Sequence, residues 1–190
     1  MSHPVVETER LILRPWEERD RAPFAALNAD PATMEFLVKM LTREESDQYI
    51  DRVRAHFEQH GFGFLAVEQK GNGAFAGMVG LAHVPFEHHF TPSVEVGWRV
   101  ARRFWGLGFA PEAAAACLAF GFETLRLPEI VAFTVPLNLR SRRVMEKIGM
   151  TRDAAGDFDH PRLPEGHPKR RHVLYRKLRQ SGDAPTLASL

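Results

Sequence analysis

The chain has 190 residues, which fits one domain with a sizeable core. Its 25 basic and 24 acidic residues give a formal net charge of +1, which excludes the global positive field of a protein that binds nucleic acid by charge. No apolar run approaches the roughly 18 residues of a membrane span, and the N-terminus lacks a signal-peptide core. The single cysteine, Cys117, excludes an internal disulfide framework and a CxxC metal site, and we expect it to lie in the core. These features predict a cytoplasmic protein with no metal, no membrane contact and no direct nucleic-acid binding.

The first third of the chain predicts one strand and two helices. The run Arg10–Arg14 is apolar at its centre and precedes a proline, which predicts a strand that ends there. Asp20 is predicted to cap the helix that follows. Thr42 and Glu45 have the spacing of a capping box, so we expect a second helix to begin there and to end at Gly61.

Strand patterns dominate the middle of the chain. Residues 62–68 and 75–84 flank residues 70–73, whose two glycines predict a hairpin turn. Residues 84–91 predict a loop. Residues 94–100 alternate in polarity as a half-buried strand does.

The last part of the chain alternates between helices and strands. An alanine-rich helix is predicted over 111–125, a β-branched strand over 129–135 and a helix over 139–148. A long loop that includes 157–168 leads to a final strand over 172–178. We expect this loop either to close over a ligand or to be a structural Ω-loop.

The order of these elements predicts an α/β domain of the α+β mixed-sheet kind, with a central, mostly antiparallel sheet flanked by helices. Because a helix connects the strands at 94–100 and 129–135, we expect these two strands to be parallel neighbours. The domain is predicted to span residues 1–180. Residues 181–190 lack periodicity and predict a flexible C-terminal tail.

The segment after the strand at 94–100 has the composition of an anion-binding turn. Arg103 is followed by Gly106 and Gly108, and then by the start of a helix. Two glycines at this spacing let backbone N–H groups converge without obstruction by Cβ atoms, and the helix N-terminus adds partial positive charge. The pattern is neither a Walker A loop nor a full GxGxxG fingerprint. It favours a pyrophosphate site, although a bare GxG also occurs in turns that bind no ligand.

Three stretches of the chain resemble the GNAT superfamily of acetyl-CoA-dependent N-acetyltransferases. The Arg-x-x-Gly-x-Gly pattern, with Ala110 two positions on, is similar to motif A of that superfamily. The run Glu7–Arg14 resembles the opening strand of the RimJ/RimL-like branch, and Asn138–Ser141 with Met145–Met150 resembles its second characteristic motif. The similarity spans about Glu7–Leu178 and implies a single GNAT-like domain in which the parallel strand pair splays apart.

The resemblance implies that acetyl-CoA is the co-substrate and lies in the opening between the splayed strands. Its pantetheine arm would pair with the backbone of Trp98, Arg99 and Val100 as an added strand does. Asn138 would hydrogen-bond the pantetheine, and Ser141 would face the thioester sulfur. The pyrophosphate would contact the N–H groups of the glycine loop, which comprises Arg103, Gly106, Leu107, Gly108, Phe109 and Ala110.

The same resemblance implies direct transfer, in which a neutral amine attacks the thioester and a donor stabilises the departing thiolate. Many members use a tyrosine seven residues after the motif asparagine, but Met145 occupies that position here. Ser141 is the remaining candidate donor; the alternative is a helix N-terminal residue that satisfies backbone N–H groups. Glu95 is the candidate general base, directly or through water. The alternative is a solvated strand carboxylate.

The acceptor is predicted to be a weakly basic primary amine, either a protein N-terminal α-amine or a small-molecule amine. At pH ~7.5, keeping a lysine neutral costs about 4 kcal/mol, whereas an α-amine costs about 0.7 kcal/mol. The missing tyrosine motivates a competing hypothesis, a non-catalytic acyl-CoA-binding module of GNAT-like fold. The sequence is compatible with a monomer or a homodimer.

Arginine accounts for 20 of the 25 basic residues. Two arginine clusters flank the predicted cofactor site: Arg99, Arg102 and Arg103 before the glycines, and Arg140, Arg142 and Arg143 around Ser141. We expect this local positive charge to favour a phosphorylated cofactor.

Overall fold

The structure is a computed structural model that describes residues 6–180, so the predicted tail at 181–190 lies outside the described residues. Its centre is one eight-stranded sheet with the strand order β1-β2-β3-β4-β5-β6-β8-β7. The strands are β1 (Val6–Glu7), β2 (Leu11–Arg14), β3 (Phe64–Gln69), β4 (Ala74–His83), β5 (Val94–Val100), β6 (Glu129–Thr134), β7 (Thr151–Asp159) and β8 (Arg171–Leu178). The α-helices are α1 (Arg21–Asn28), α2 (Pro31–Met34), α3 (Arg43–His60), α4 (Phe109–Glu123) and α5 (Leu139–Lys147).

The sheet has the predicted architecture. All neighbouring strands are antiparallel except β5 and β6, which are parallel. The parallel pair has a single register position, Glu95 opposite Val131. Beyond Glu95, β5 therefore continues along β4 while its other edge separates from β6.

The capping box at α3 is confirmed. The Thr42 hydroxyl accepts from the Glu45 N–H at 3.2 Å, and the Glu45 carboxylate accepts from the Thr42 N–H at 3.0 Å. Gly61 ends the helix with a φ of 77°, a left-handed conformation that glycine adopts without steric cost. These contacts fix both ends of the long helix that covers one face of the sheet.

The prediction that Asp20 caps α1 is wrong. Asp20 is the residue before the helix, but its carboxylate makes no cap hydrogen bond to α1. It accepts from both terminal nitrogens of Arg14, at 2.7 and 2.8 Å, and from the Glu17 N–H. The buried guanidinium competes successfully for the carboxylate because a charge-assisted bidentate pair is stronger than a neutral cap.

Two element boundaries also differ from the predictions. Helix α4 begins at Phe109 rather than Pro111, because Gly108 adopts a left-handed conformation at the N-cap. The predicted loop at 157–168 overlaps β7, which runs to Asp159 and pairs with β8. Strand β7 has only Gly156 and Phe158 buried, so it lacks the apolar alternation by which a strand is predicted.

The two faces of β5 contact different parts of the protein. Val94, Val96 and Val100 belong to the main core, together with Cys117 and other side chains of α4. The Cys117 prediction is confirmed: the side chain is buried, and burial raises its thiol pKa to about 12. The opposite face carries Arg99, which packs towards a second core cluster formed with α1 and α3.

Candidate active site

A cavity of about 440 Å³ lies where β5 and β6 separate. The β5 edge, the glycine loop, the start of α4 and one face of α5 line it. Ten of the residues predicted from the sequence contribute to its lining: Glu95, Trp98, Arg99, Val100, Gly106, Gly108, Phe109, Ala110, Asn138 and Ser141. These ten residues come from two separate stretches of the chain, 95–110 and 138–141, which surround one opening.

The glycine loop has the backbone conformation that an anion site needs. Gly106 and Gly108 have φ values of 79° and 82°. A Cβ built on Gly106 would meet no atom within 4 Å, so the space beside it is open. The N–H groups of Phe109 and Ala110 lie in the first turn of α4 and have no acceptor within the helix, and Pro111 carries no N–H. This cradle fits a pyrophosphate.

Two predicted members of the loop do not place their side chains in the cavity. Arg103 donates to the Phe75 carbonyl at 3.0 Å, and its guanidinium lies 4.8 Å from the Phe104 ring centroid. The Leu107 side chain is exposed, and its carbonyl accepts from Arg10 at 2.8 Å. These side chains brace the loop, so any contact of either residue with a phosphate would be through the backbone.

Glu95 lies at the point where the parallel strands part. It is the β5 member of the one parallel register pair, and its half-buried side chain lines the cavity. Burial raises the pKa of this carboxyl to about 7. The solvated strand carboxylate considered from the sequence is therefore not what the structure contains. A carboxyl that titrates near neutrality can accept a proton from an amine at physiological pH.

Asn138, rather than Ser141, is the cap of α5. The Asn138 side-chain oxygen accepts from the Ser141 N–H at 3.2 Å. The Asn138 amide nitrogen donates to the Ser141 hydroxyl and to the Thr134 hydroxyl, both at 3.0 Å. The capping role weighed for Ser141 is thus filled by its neighbour. The predicted contact of Asn138 with pantetheine stays a prediction, since its side-chain N–H groups already have partners within the protein.

No tyrosine lines the cavity among the described residues. Tyr175 is buried on β8, where its hydroxyl donates to Glu146 at 3.2 Å and accepts from Arg142 at 3.3 Å. Met145 lines the cavity at the position that many relatives give to a tyrosine. The donor role of Ser141 stays a prediction, with no tyrosine of the described residues competing at this site.

The sequence predicted Arg140 beside the cofactor site but missed its partners at the cavity. The Arg140 guanidinium lies 4.3 Å from the Trp105 ring centroid and 5.7 Å from that of Phe36, and it pairs with Glu35 at 2.8 Å. This cluster joins α5 to the glycine loop and to the segment after α2. Helical spacing could have revealed the α5 part, because Arg140, Arg143, Val144 and Lys147 share one face that lines the cavity.

Outside the cavity, histidines form two aromatic clusters. His56 and His60 contact His83, but both ring nitrogens of His56 have backbone partners, the Phe62 carbonyl and the His83 N–H. Within residues 6–180, no group of three or more histidine, cysteine or acidic side chains is arranged to hold a metal ion. The second cluster surrounds Phe158 and belongs to the packing between β7, β8 and the loop before β5.

Residues 10–151 match the family model for the acetyltransferase (GNAT) domain, which is three quarters of the chain. The chain belongs to the GNAT acetyltransferase family. Among curated proteins it is 31% identical to the FsC-acetyl coenzyme A-N(2)-transacetylase of Aspergillus fumigatus over 157 residues, which cover 79% of this chain and 66% of that protein. Acetyl-CoA is the acetyl donor of this family, and the cavity is the candidate site for it.

The fold agrees with solved acetyltransferase structures. An acetyltransferase from Agrobacterium tumefaciens is 30% identical and superposes with a TM-score of 0.76, covering 93% of this chain and 95% of the other. RimJ of Mycobacterium smegmatis, solved in complex with CoA-disulfide, shares the fold at 23% identity and a TM-score of 0.73, with 94% and 90% covered. The predicted GNAT-like fold is thus confirmed, and RimJ shares it. Within residues 6–180, none of the helices has both the length and the apolar composition that a membrane span requires.

Proposed function

We propose that this protein transfers the acetyl group of acetyl-CoA directly to a primary amine, either a protein N-terminal α-amine or a small-molecule amine. The observation that carries the proposal is the position of Glu95, a carboxyl with a pKa of about 7 at the opening between β5 and β6. Cofactor binding there would leave the carboxyl beside the thioester end of the cavity rather than beside the phosphates. The glycine loop provides the other end.

The proposed reaction needs one proton acceptor and one hydrogen-bond donor. Glu95 takes one proton from the acceptor ammonium, directly or through water, and the neutral amine nitrogen then forms a bond to the thioester carbonyl carbon. The carbon–sulfur bond breaks, and CoA leaves as a thiolate while the Ser141 hydroxyl donates a hydrogen bond to the sulfur. The nitrogen loses its second proton to the thiolate, which becomes the free thiol, and Glu95 releases the first proton to solvent.

The pKa of Glu95 favours an acceptor whose own pKa is not far above neutrality. Proton transfer to a base of pKa about 7 is nearly balanced for an α-amine of pKa about 7.7–8.0 but uphill for a lysine side chain of about 10.4. A difference of about 2.5 pKa units between the two amines corresponds to about 3.4 kcal/mol. We therefore expect α-amines and other weakly basic amines to react faster than lysine side chains.

The decisive experiment is a thiol-release assay with acetyl-CoA and a panel of peptides, amino acids, polyamines and aminoglycosides. Acceptor-dependent release of CoA thiol, lost in Glu95→Gln, is the expected result. Tight acetyl-CoA binding with no acceptor-dependent release across the panel would instead favour the non-catalytic binding module. Equal rates for a lysine side chain and a peptide N-terminus would overturn the preference for weakly basic amines.

A further inference from the structure

We propose that Arg99 determines acceptor specificity by binding an anionic group, a carboxylate, that the acceptor carries in addition to its amine. This inference rests on the proposed acetyl transfer and names the chemical class of its acceptor. Three features of Arg99 support it: its contacts, the face of β5 that it occupies and its contrast with the ion-paired Arg14 and Arg176.

Arg99 is an enclosed cation with no carboxylate partner. Among residues 6–180, the ion pairs within 4.0 Å do not include it. One terminal nitrogen donates to the side-chain oxygen of Asn28, and the guanidinium lies 5.8 Å from the Phe24 ring centroid and 5.4 Å from that of Tyr49. A guanidinium has five N–H donors, so the neutral amide occupies only a small part of its capacity.

Arg14 and Arg176, two other arginines that are withdrawn from solvent, have acidic partners. Arg14 pairs with Asp20 at 2.7 Å and with Glu68 at 2.8 Å. Arg176 pairs with Asp153 at 2.7 Å and with Glu129 at 2.9 Å. Removing a charge from water without a counterion costs free energy that a bound anion can restore. Arg99 differs from both in lining the cavity, where such an anion can arrive from outside.

The position of Arg99 points to the acceptor rather than to the cofactor. Arg99 and Glu95 are four residues apart on β5, so their side chains share one face and their Cα atoms are separated by about 13 Å. That face packs towards α1 and α3, where Tyr49 contacts Arg99. Tyr49 also lies close to Glu95, so the charges of Arg99 and Glu95 both act on the pKa of Tyr49. The glycine loop with its phosphate cradle lies beyond the end of β5. An acceptor amine at Glu95 would thus present a second group to Arg99.

Asn28 provides an internal way to supply the missing carboxylate. Its side chain is fully buried, and its amide nitrogen donates to the Ser46 hydroxyl at 2.9 Å, which leaves its oxygen for Arg99. Asn28→Asp keeps the size of the side chain and can accept from both Ser46 and Arg99. The new carboxylate would neutralise Arg99 from within the protein, so it should have the same effect on specificity as removing the charge.

The test compares acceptors in matched pairs that differ only in the anionic group. One arm uses short glycine peptides, such as triglycine, against their C-terminal amides, because both members keep a weakly basic α-amine. The other arm uses peptides with aspartate or asparagine at the second position. We expect kcat/KM to be at least about 10-fold higher for the carboxylate member in the arm that matches the natural acceptor. Arg99→Gln and Asn28→Asp should each reduce that ratio to about 1. In Asn28→Asp, whose site lies outside the cavity lining, KM for acetyl-CoA and kcat/KM for the amide members should stay within about threefold. Arg99→Lys should retain part of the preference.

Two results would overturn the proposal. One is turnover of amide and carboxylate members at equal kcat/KM by the wild-type protein, and the other is a carboxylate preference that survives both Arg99→Gln and Asn28→Asp. If no amine is acetylated, the proposed function fails, and calorimetric titration of triglycine and the aspartate peptide into the CoA-saturated protein still decides the role of Arg99. Binding by the wild type and loss in Arg99→Gln supports the anion site, and no binding of either compound refutes it. Thermal unfolding of each variant checks that it is folded.

Discussion

The Asn138 side-chain amide donates a hydrogen bond to the Ser141 hydroxyl oxygen at 3.0 Å. A hydroxyl that accepts in this way keeps its own proton free to donate to another atom. The Ser141 backbone N–H is already satisfied by the Asn138 side-chain oxygen at 3.2 Å, so the hydroxyl is not needed for capping. Asn138 therefore orients Ser141 as a donor towards the cavity that both residues line.

We expect Ser141→Ala to lower kcat by about 10- to 100-fold, the value of one hydrogen bond to a developing charge. Because the contact strengthens only as the thiolate forms, KM for acetyl-CoA should change by no more than about threefold. Steady-state kinetics on one acceptor provides the measurement. Ser141→Thr, which retains a hydroxyl, is the matched control and should keep most of the activity; an unchanged rate in Ser141→Ala would remove Ser141 from the mechanism.

The pH dependence of kcat/KM should report Glu95. Because burial raises its pKa to about 7, the carboxyl is protonated and inactive as a base below that pH and becomes active above it. Besides the inflection near pH 8 that an α-amine acceptor of pKa about 7.7–8.0 contributes, a plot of log kcat/KM should therefore show a second inflection near pH 7. In Glu95→Gln, this inflection should vanish and the plateau should fall by about 10²-fold, the lower end of the range for general base catalysis. An inflection near pH 7 that persists in the variant would assign it to another group.

The raised pKa of Glu95 also predicts a cost in stability. A carboxyl whose folded-state pKa exceeds its unfolded value stabilises the fold fully below the unfolded pKa of 4.5, and this contribution is lost as the pH rises through about 7. The free energy of unfolding of Glu95→Gln should thus equal that of the wild type near pH 4.5 and exceed it at pH 8. Since solvent screens the half-buried charge, we expect this excess at pH 8 to be about 1–2 kcal/mol instead of the full ~3.4 kcal/mol. Urea unfolding at the two pH values measures the difference, and an equal difference at both would contradict it.

The phosphate cradle can be tested with two glycines in the same backbone conformation. Gly106 has a φ of 79° and Gly71 a φ of 89°, and a Cβ on either would meet nothing within 4 Å. Gly106→Glu and Gly71→Glu therefore carry similar backbone strain, but only the first places a carboxylate beside the predicted pyrophosphate. We expect Gly106→Glu to weaken CoA binding by at least about 100-fold, and Gly71→Glu to leave the affinity unchanged. Retained affinity in Gly106→Glu would show that the cofactor lies elsewhere. Gly108 is less suitable, because a side chain there would approach Arg10 at 3.2 Å.

The buried pair of Arg14 and Asp20 should matter for folding and not for catalysis. Asp20→Ala leaves the buried guanidinium with Glu68 as its remaining close partner, and we expect a loss of about 3 kcal/mol in the free energy of unfolding. Glu18, which pairs with Arg21 and Arg54 at the surface, provides the control, and Glu18→Ala should not shift the denaturant midpoint measurably. Similar midpoints for the two variants would contradict the importance of burial.

The sequence predicted those parts of the fold whose causes are local. The capping box at Thr42 and the turn with Gly71 depend on residues a few positions apart, and both are confirmed. The parallel pairing of β5 with β6 followed from the helix between them, because a crossover of that length requires it. Strand β7 was missed because pairing with β8, and not its own apolar pattern, holds it in the sheet.

For the candidate site, the sequence predicted the backbone conformation more fully than the contacts of the side chains. Nothing in the pattern around Arg99 distinguishes a backbone contact for the cofactor from a side chain that reaches Asn28, 71 residues earlier. The same holds for Arg140, which meets Trp105 and Phe36 only after α2 and α5 have packed on opposite sides of the opening. Long-range contacts of this kind depend on tertiary packing that no short motif encodes.

The single register position between β5 and β6 leaves an unpaired strand edge inside the molecule. On the outside of a protein, such an edge is a template on which the strands of other chains can add and aggregate. Here the walls of a 440 Å³ opening flank it, and a flat sheet from a second molecule cannot enter. A thin, flexible chain with amide groups of its own can pair with these backbone atoms where a sheet cannot. The enclosure of this edge thus protects it from sheet-to-sheet association and keeps it available to a small linear ligand.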